Sequence, residues 1–179
     1  MATAASDLLL QRFRWVGGHA DMWPVFRDGH ALGEVIKALV APFRDDGVTA
    51  VCGIESRGFL LGGAAAVELG VGFVAVRKGT GMFPGEKIAR ETAPDYRGIR
   101  HVLRIQRSSV GPGDRVLLVD DWIETGSQAL AVRQLVTEAG ADLVGCAVVV
   151  DQLRPSARPQ VGRVHALVTK DELPDVSRR

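Results

Sequence analysis

Two adjacent carboxylates, Asp120 and Asp121, close the apolar run Val116-Leu117-Leu118-Val119, and Glu124-Thr125-Gly126-Ser127-Gln128 follows almost at once. Each group has a definite chemical capacity. Neighbouring acids can accept hydrogen bonds from the vicinal hydroxyls of a ribose. Backbone N–H groups at a helix start, with hydroxyls beside them, cradle a phosphate. The apolar run reads as a buried strand, and Ala129 to Ala139 carries a helical pattern. In an open α/β sheet, ligands bind at the carboxyl ends of the strands. A buried strand with two solvated acids would explain Asp-Asp alone. The whole string describes a site for ribose 5-phosphate.

A second block supplies the opposite charge. Arg57 and Gly58 follow Glu55-Ser56 directly after an apolar strand, and Arg77-Lys78 ends the next one. The 116–128 stretch resembles the 5-phosphoribosyl-1-pyrophosphate (PRPP) signature of type I phosphoribosyltransferases, and both blocks resemble adenine phosphoribosyltransferases in order and spacing. The likeness to the adenine phosphoribosyltransferase family is close over about residues 48–80 and 113–140. It is weak before residue 25, between 85 and 105, and after 151.

The resemblance implies Mg2+-dependent transfer of phosphoribose to a purine base, giving a nucleoside monophosphate and pyrophosphate. Adenine or an amino-substituted heterocycle is the implied base. Thr125, Gly126, Ser127 and Gln128 would hold the 5-phosphate, and Asp120 and Asp121 the ribose hydroxyls. Ser56, Arg57 and Gly58 would bind pyrophosphate in a turn that carries a non-proline cis peptide in the family. Arg77 and Lys78 would serve the same leaving group, or are an ordinary strand-end basic pair. Magnesium would be bound mainly through substrate oxygens, with no direct protein cage. A homodimer is implied as well.

The departures from the family concern proton transfer and the base. The family's lid carries a glutamate where this chain reads Asp95-Tyr96-Arg97-Gly98. Phosphoribosyltransferases for 6-oxopurines carry an aspartate at the position matching Glu124, which exchanges a proton with the purine. Glu124 is therefore the expected proton-exchanging group, with Asp121 and Asp95 the other catalytic candidates; a side chain turned to solvent is the alternative. For the base, Val25-Phe26-Arg27-Asp28 resembles the family's hood, so Phe26 stacks on the base or packs in the core, with Arg27 beside it. Asp151, after a strand, would accept from an amino group. Trp122 walls the pocket or fills the core.

Length and composition agree with one enzyme domain. The 179 residues are 46% hydrophobic with net charge +1, enough for one core and too little charge to draw the chain to nucleic acid or an anionic membrane. No apolar run approaches the ~20 residues of a membrane span, and Leu8-Leu9-Leu10 is too short for a signal peptide. Cys52 and Cys146 lie in strand patterns and are expected as buried thiols, which suits a cytoplasmic protein.

The elements that must position these residues alternate. Helices are expected over 28–43, 58–69 and 129–139, and strands over 48–54, 71–77, 115–120, 143–151 and 163–168. This order predicts an α/β fold: a mostly parallel sheet flanked by helices, in a single domain spanning 1–179. Residues 1–27 read as an irregular hood and 79–105 as an irregular lid. Two other classes remain open at this stage. One is a PRPP- or nucleotide-sensing regulator without turnover, disfavoured because no helix-turn-helix is evident. The other is an enzyme of specialised metabolism that uses an unusual base.

Overall fold

The computed structural model describes residues 3–79, 84–95 and 97–175. The β-branched runs form the strands as expected, and short returns between them place helices on both faces. In chain order the elements are α1 (Ala4–Arg12), β1 (Arg14–Val16), β2 (His19–Asp21), α2 (Trp23–Arg27), α3 (Gly29–Val40), β3 (Ala50–Ile54), α4 (Arg57–Leu69) and β4 (Gly72–Lys78). Then come β5 (Lys87–Glu91), β6 (Val102–Gln106), β7 (Arg115–Ile123), α5 (Ser127–Glu138), β8 (Asp142–Asp151), α6 (Arg158–Val161) and β9 (Val164–Thr169).

Seven strands form the main sheet in the order β5-β6-β4-β3-β7-β8-β9. β4, β3, β7, β8 and β9 run parallel, while β6 and β5 add antiparallel at one edge. The chain leaves β3 toward β4 on one side and later enters β7 on the other. This reversal opens a crevice between the carboxyl ends of β3 and β7, where such sheets bind ligands. Side chains alternate between two cores along these strands. Val51, Leu117 and Val149 pack under α1, α3 and α4, whereas Cys52, Leu118 and Val148 pack under α5. Both cysteines are free and buried, and burial drives both thiols up, Cys146 to about 12. No helix among the described residues is long and apolar enough to cross a membrane.

Two expectations need correcting. Residues 3–27 are ordered into a helix, a hairpin and a short second helix, not an irregular arm. Gly17 and Gly18 have φ of 56° and 77°, the paired positive values of a two-residue hairpin turn, and Val16 pairs with His19 across it. Leu9 and Phe13 are fully buried and tie this segment to the core. Within the proposed lid, residues 87–91 and 102–106 alternate with period two, burying Ile88, Leu103 and Ile105. They extend the sheet as β5 and β6. Residues 80–83 and 96 of that region lie outside the described residues.

Candidate active site

β7 carries the acids beyond its last pair with β3, Gly53–Val119, while β8 still flanks them on the other side, and α5 begins three residues after Glu124. Gly126 makes the turn. Its φ is 78°, and a Cβ there would come within 2.7 Å of Val161 Cγ2, so only glycine fits between β7 and α6. Thr125 Oγ1 donates to Ser127 Oγ at 3.0 Å and accepts from Ser127 N at 3.3 Å. Gly126 at the N-cap has no side chain to cap α5, and beyond the Ser127 N–H held by Thr125 the first turn of the helix lines the cavity beside two hydroxyls. The arrangement is an anion cradle with the positive end of a 12-residue helix behind it.

The acids occupy the next position outward. Asp121 is 7% exposed, and its Oδ2 accepts no hydrogen bond among the described residues while lying 3.0 Å from Arg57 Nη2. Asp120 Oδ1 accepts from the Asp121 N–H at 2.9 Å. Burial first, and then the charge of Asp121, raise the Asp120 carboxyl well above the usual carboxylate range.

The peptide bond between Glu55 and Ser56 is cis. Glu55 organises the basic side of the crevice: it pairs with Arg77 at 3.3 Å and accepts from the Lys78 N–H at 3.1 Å. The Arg77 hydrogen bond, more than any other influence, lowers the Glu55 carboxyl below its ordinary value. Ser56, Arg57 and Lys78 line the cavity, but Arg77 does not. Gly58 sits behind the wall, where a Cβ would lie 3.0 Å from Asp120 Oδ1.

One cavity of about 540 Å³ unites Ser56, Arg57, Lys78, Asp120, Asp121 and the whole 124–128 turn. Beyond the acids it opens into a chamber that sequence reasoning described poorly. Asp95 is there, but its carboxylate is occupied. Oδ1 accepts from the N–H groups of Arg97 and Ile99 at 2.8 and 2.9 Å, and Oδ2 lies 3.4 Å from His101 Nε2. Those contacts, led by the Ile99 N–H, lower the Asp95 carboxyl. Glu124 makes no such bonds; burial, and then the Asp95 charge, raise its carboxyl, with Arg154 opposing. The two candidate acids are thus driven in opposite directions.

Three expected base-binding residues lie elsewhere. Asp151 does not line the cavity: its oxygens accept from the Leu153 N–H at 2.8 Å and from Arg158 Nη2 at 2.7 Å. Phe26 is 7% exposed, packs edge-on to Trp23 with centroids 5.6 Å apart, and belongs to the core under α3. Arg27 shares with Phe26 a separate surface concavity near Leu60. The cause is α2, which turns the Val25-Phe26 pair inward. Residues not foreseen take the chamber instead: Trp15, His19, His101, Gln152 and Lys170. Trp122 lies in the same wall, with its Nε1 donating to Gln152 Oε1 at 3.0 Å. A Gly-Gly pair between two short alternating runs was the available signal for the hairpin that brings in Trp15 and His19.

A mostly parallel seven-stranded sheet flanked by helices, with its cavity at the carboxyl ends of β3 and β7, is the type I phosphoribosyltransferase fold. The phosphoribosyl transferase domain model matches residues 26–165, and the chain belongs to that family. It is therefore a phosphoribosyltransferase in enzyme class. Its relatives point to one branch. An adenine phosphoribosyltransferase of Kineococcus radiotolerans is 41% identical over 142 residues, covering 79% of this chain and 75% of that protein. The crystal structure of adenine phosphoribosyltransferase from Rhodothermus marinus superposes with TM-score 0.79 at 36% identity, covering 92% and 98% of the two chains. The Giardia lamblia enzyme complexed with 9-deazaadenine gives TM-score 0.80 at 32% identity, covering 95% and 98%.

Proposed function

We propose that this chain transfers phosphoribose from PRPP to adenine, forming AMP and pyrophosphate. The single observation that carries the reading is the continuous cavity joining the 124–128 cradle, the two acids and Arg57 to a tryptophan-walled chamber. Its successive parts match phosphate, ribose diol, pyrophosphate and a flat heterocycle. The relatives' names supply adenine as the heterocycle.

Thr125, Ser127 and the α5 N-terminus hold the 5-phosphate, with Gln128 at its edge. Asp120 and Asp121 accept from the ribose hydroxyls. Arg57 and Lys78 bind pyrophosphate, with Arg77 holding Glu55 and hence the turn. As the bond from ribose carbon 1 to pyrophosphate oxygen breaks, positive charge develops on the ribose and the carboxylates stabilise it. The base nitrogen then bonds to carbon 1 and its proton passes to the Glu124 carboxylate. Asp95, held by its own turn, positions that turn instead of exchanging protons. The carboxyl oxygens of Asp120 and Asp121 are hard donors of the kind magnesium takes, although Asp121 Oδ2 faces Arg57 Nη2 at 3.0 Å. When bound, Mg2+ supplies charge neutralisation to pyrophosphate; among the described residues no cluster of three or more acidic, histidine or cysteine side chains cages a metal.

A homodimer fits the outer face of α4, where Leu60 and Val67 are exposed on one stripe with Gly63 between them and Phe73 adjoining. The deciding experiment measures pyrophosphate release from PRPP and Mg2+ across a panel of nucleobases. Release with adenine and not with hypoxanthine is expected. No release with any base would overturn the reading in favour of a nucleotide-binding regulator.

A further inference from the structure

Gln152 follows β8 directly, and its backbone N–H donates to Ile123 O at 2.8 Å, which extends the parallel register one residue beyond Asp151. Side chains alternate along an extended strand. Asp151 therefore points back to Leu153 and Arg158, and Gln152 points into the chamber. A carboxamide has two different ends, and here the neighbour decides which end faces where. Trp122 Nε1–H can only donate, so the atom it meets at 3.0 Å is the Gln152 oxygen. The indole is itself seated: Trp15 packs edge-on against it with centroids 6.4 Å apart, and Trp15 Nε1 donates to Pro174 O at 2.6 Å. Among the described residues, no acceptor takes the Gln152 Nε2 hydrogens.

We infer that Gln152 is a specificity-determining residue that reads the purine through a donor of fixed orientation. Its NH2 group donates to a ring nitrogen of adenine, and the 6-amino group, itself a donor, is turned away from it. Trp122 is the positioning residue, because its N–H prevents the carboxamide from flipping and accepting instead. A site built around one fixed donor discriminates against an analogue that lacks the matching acceptor, because the bound base then covers the donor and leaves it unpaired.

This inference rests on adenine as the acceptor base, and binding measurements separate the two claims. The experiment is calorimetric binding of AMP, its 1-, 3- and 7-deaza analogues and ribose 5-phosphate to wild type, Gln152→Leu, Gln152→Glu and Trp122→Phe. In wild type, one deaza analogue is expected to bind about 5- to 20-fold more weakly than AMP. Gln152→Leu should weaken AMP by a similar factor and leave that analogue unchanged, with ribose 5-phosphate unaffected. Gln152→Glu keeps the Trp122 bond but presents an acceptor, so AMP should weaken at least as much. Trp122→Phe should shrink the ratio between AMP and the analogue. Equal weakening of AMP and all three analogues by Gln152→Leu would reduce Gln152 to packing, and no weakening at all would remove it from the base site; either overturns the inference. A wild type that binds AMP yet forms none from adenine and PRPP overturns the proposed reaction while the Gln152 result stands.

Discussion

At the scale of single residues, the proposed proton transfer rests on the contrast between Glu124 and Asp95. Both are acids at the base end of the cavity, yet Asp95 spends its oxygens on Arg97, Ile99 and His101, and Glu124 has burial working against its charge. A carboxylate that is costly to ionise and unbonded is the better proton acceptor near neutrality. Glu124→Gln is expected to lower turnover about 10²–10⁴-fold with PRPP affinity little changed. In wild type, kcat/KM for the base should fall as pH drops through the raised Glu124 pKa, and that limb should vanish in the variant. Stability moves the other way. A carboxyl whose folded pKa is raised stabilises the fold below its ordinary pKa, and this is lost as pH rises through the raised value. Glu124→Gln should therefore raise the melting temperature near neutral pH and change it little in acid. If Asp95→Asn abolishes turnover while Glu124→Gln stays active, the chemistry belongs to the 92–101 turn.

At the scale of elements, the antiparallel pair β5–β6 matters most. It hangs from the edge of the sheet through a short ladder, Arg77–Arg104 and Lys78–Leu103, and leads into the turn that places Asp95 and His101 in the chamber. Strands joined to a sheet by so few pairs open more readily than its centre. The reactive ribose needs protection from water, which competes with the base. We therefore expect residues 84–95 to exchange backbone hydrogens more slowly when PRPP and Mg2+ are added. Exchange that PRPP leaves unchanged would remove the lid role. The hairpin β1–β2 forms the facing wall and is pinned to the C-terminal segment through Trp15, Pro174 and Lys170, whose ammonium lies 4.8 Å from the Trp15 ring. That wall is expected to stay in place while the lid moves.

At the scale of the whole molecule, α4 connects the catalytic turn to the outer surface. Its first residue is Arg57 and its buried residues pack against the sheet, yet Val67 is 83% exposed and Leu60 36%. An apolar stripe interrupted by glycine suits close packing of a second helix, and most closed oligomers are symmetric dimers. Wild type is expected to sediment at twice the chain mass, and Val67→Glu to shift it toward the monomer. A wild-type monomer at micromolar concentration would reject this interface. Because α4 begins at Arg57, the proposed pyrophosphate ligand, loss of the dimer should also weaken PRPP binding.

The cradle and the paired acids of the cavity were legible in the sequence because those parts are contiguous. Acids, turn glycine and hydroxyls fall within residues 120–128, and one strand-to-helix return fixes their relation whatever else the chain does. The alternating strands and helices likewise announced the parallel sheet. The chamber beyond the acids was not legible, because Trp15, His19, Asp95, His101, Trp122, Gln152 and Lys170 are far apart in the chain and only packing brings them together. Asp151 and Gln152 show why. Both are polar and both end a strand, but the pleat sends neighbours to opposite sides, and Arg158 of α6 waits on one side while Trp122 waits on the other. Phe26 fits a base stack or a core equally well as a sequence. The turn of α2 against α3 decides for the core, since burying that ring removes more apolar surface from water than leaving it at the rim of a solvated chamber.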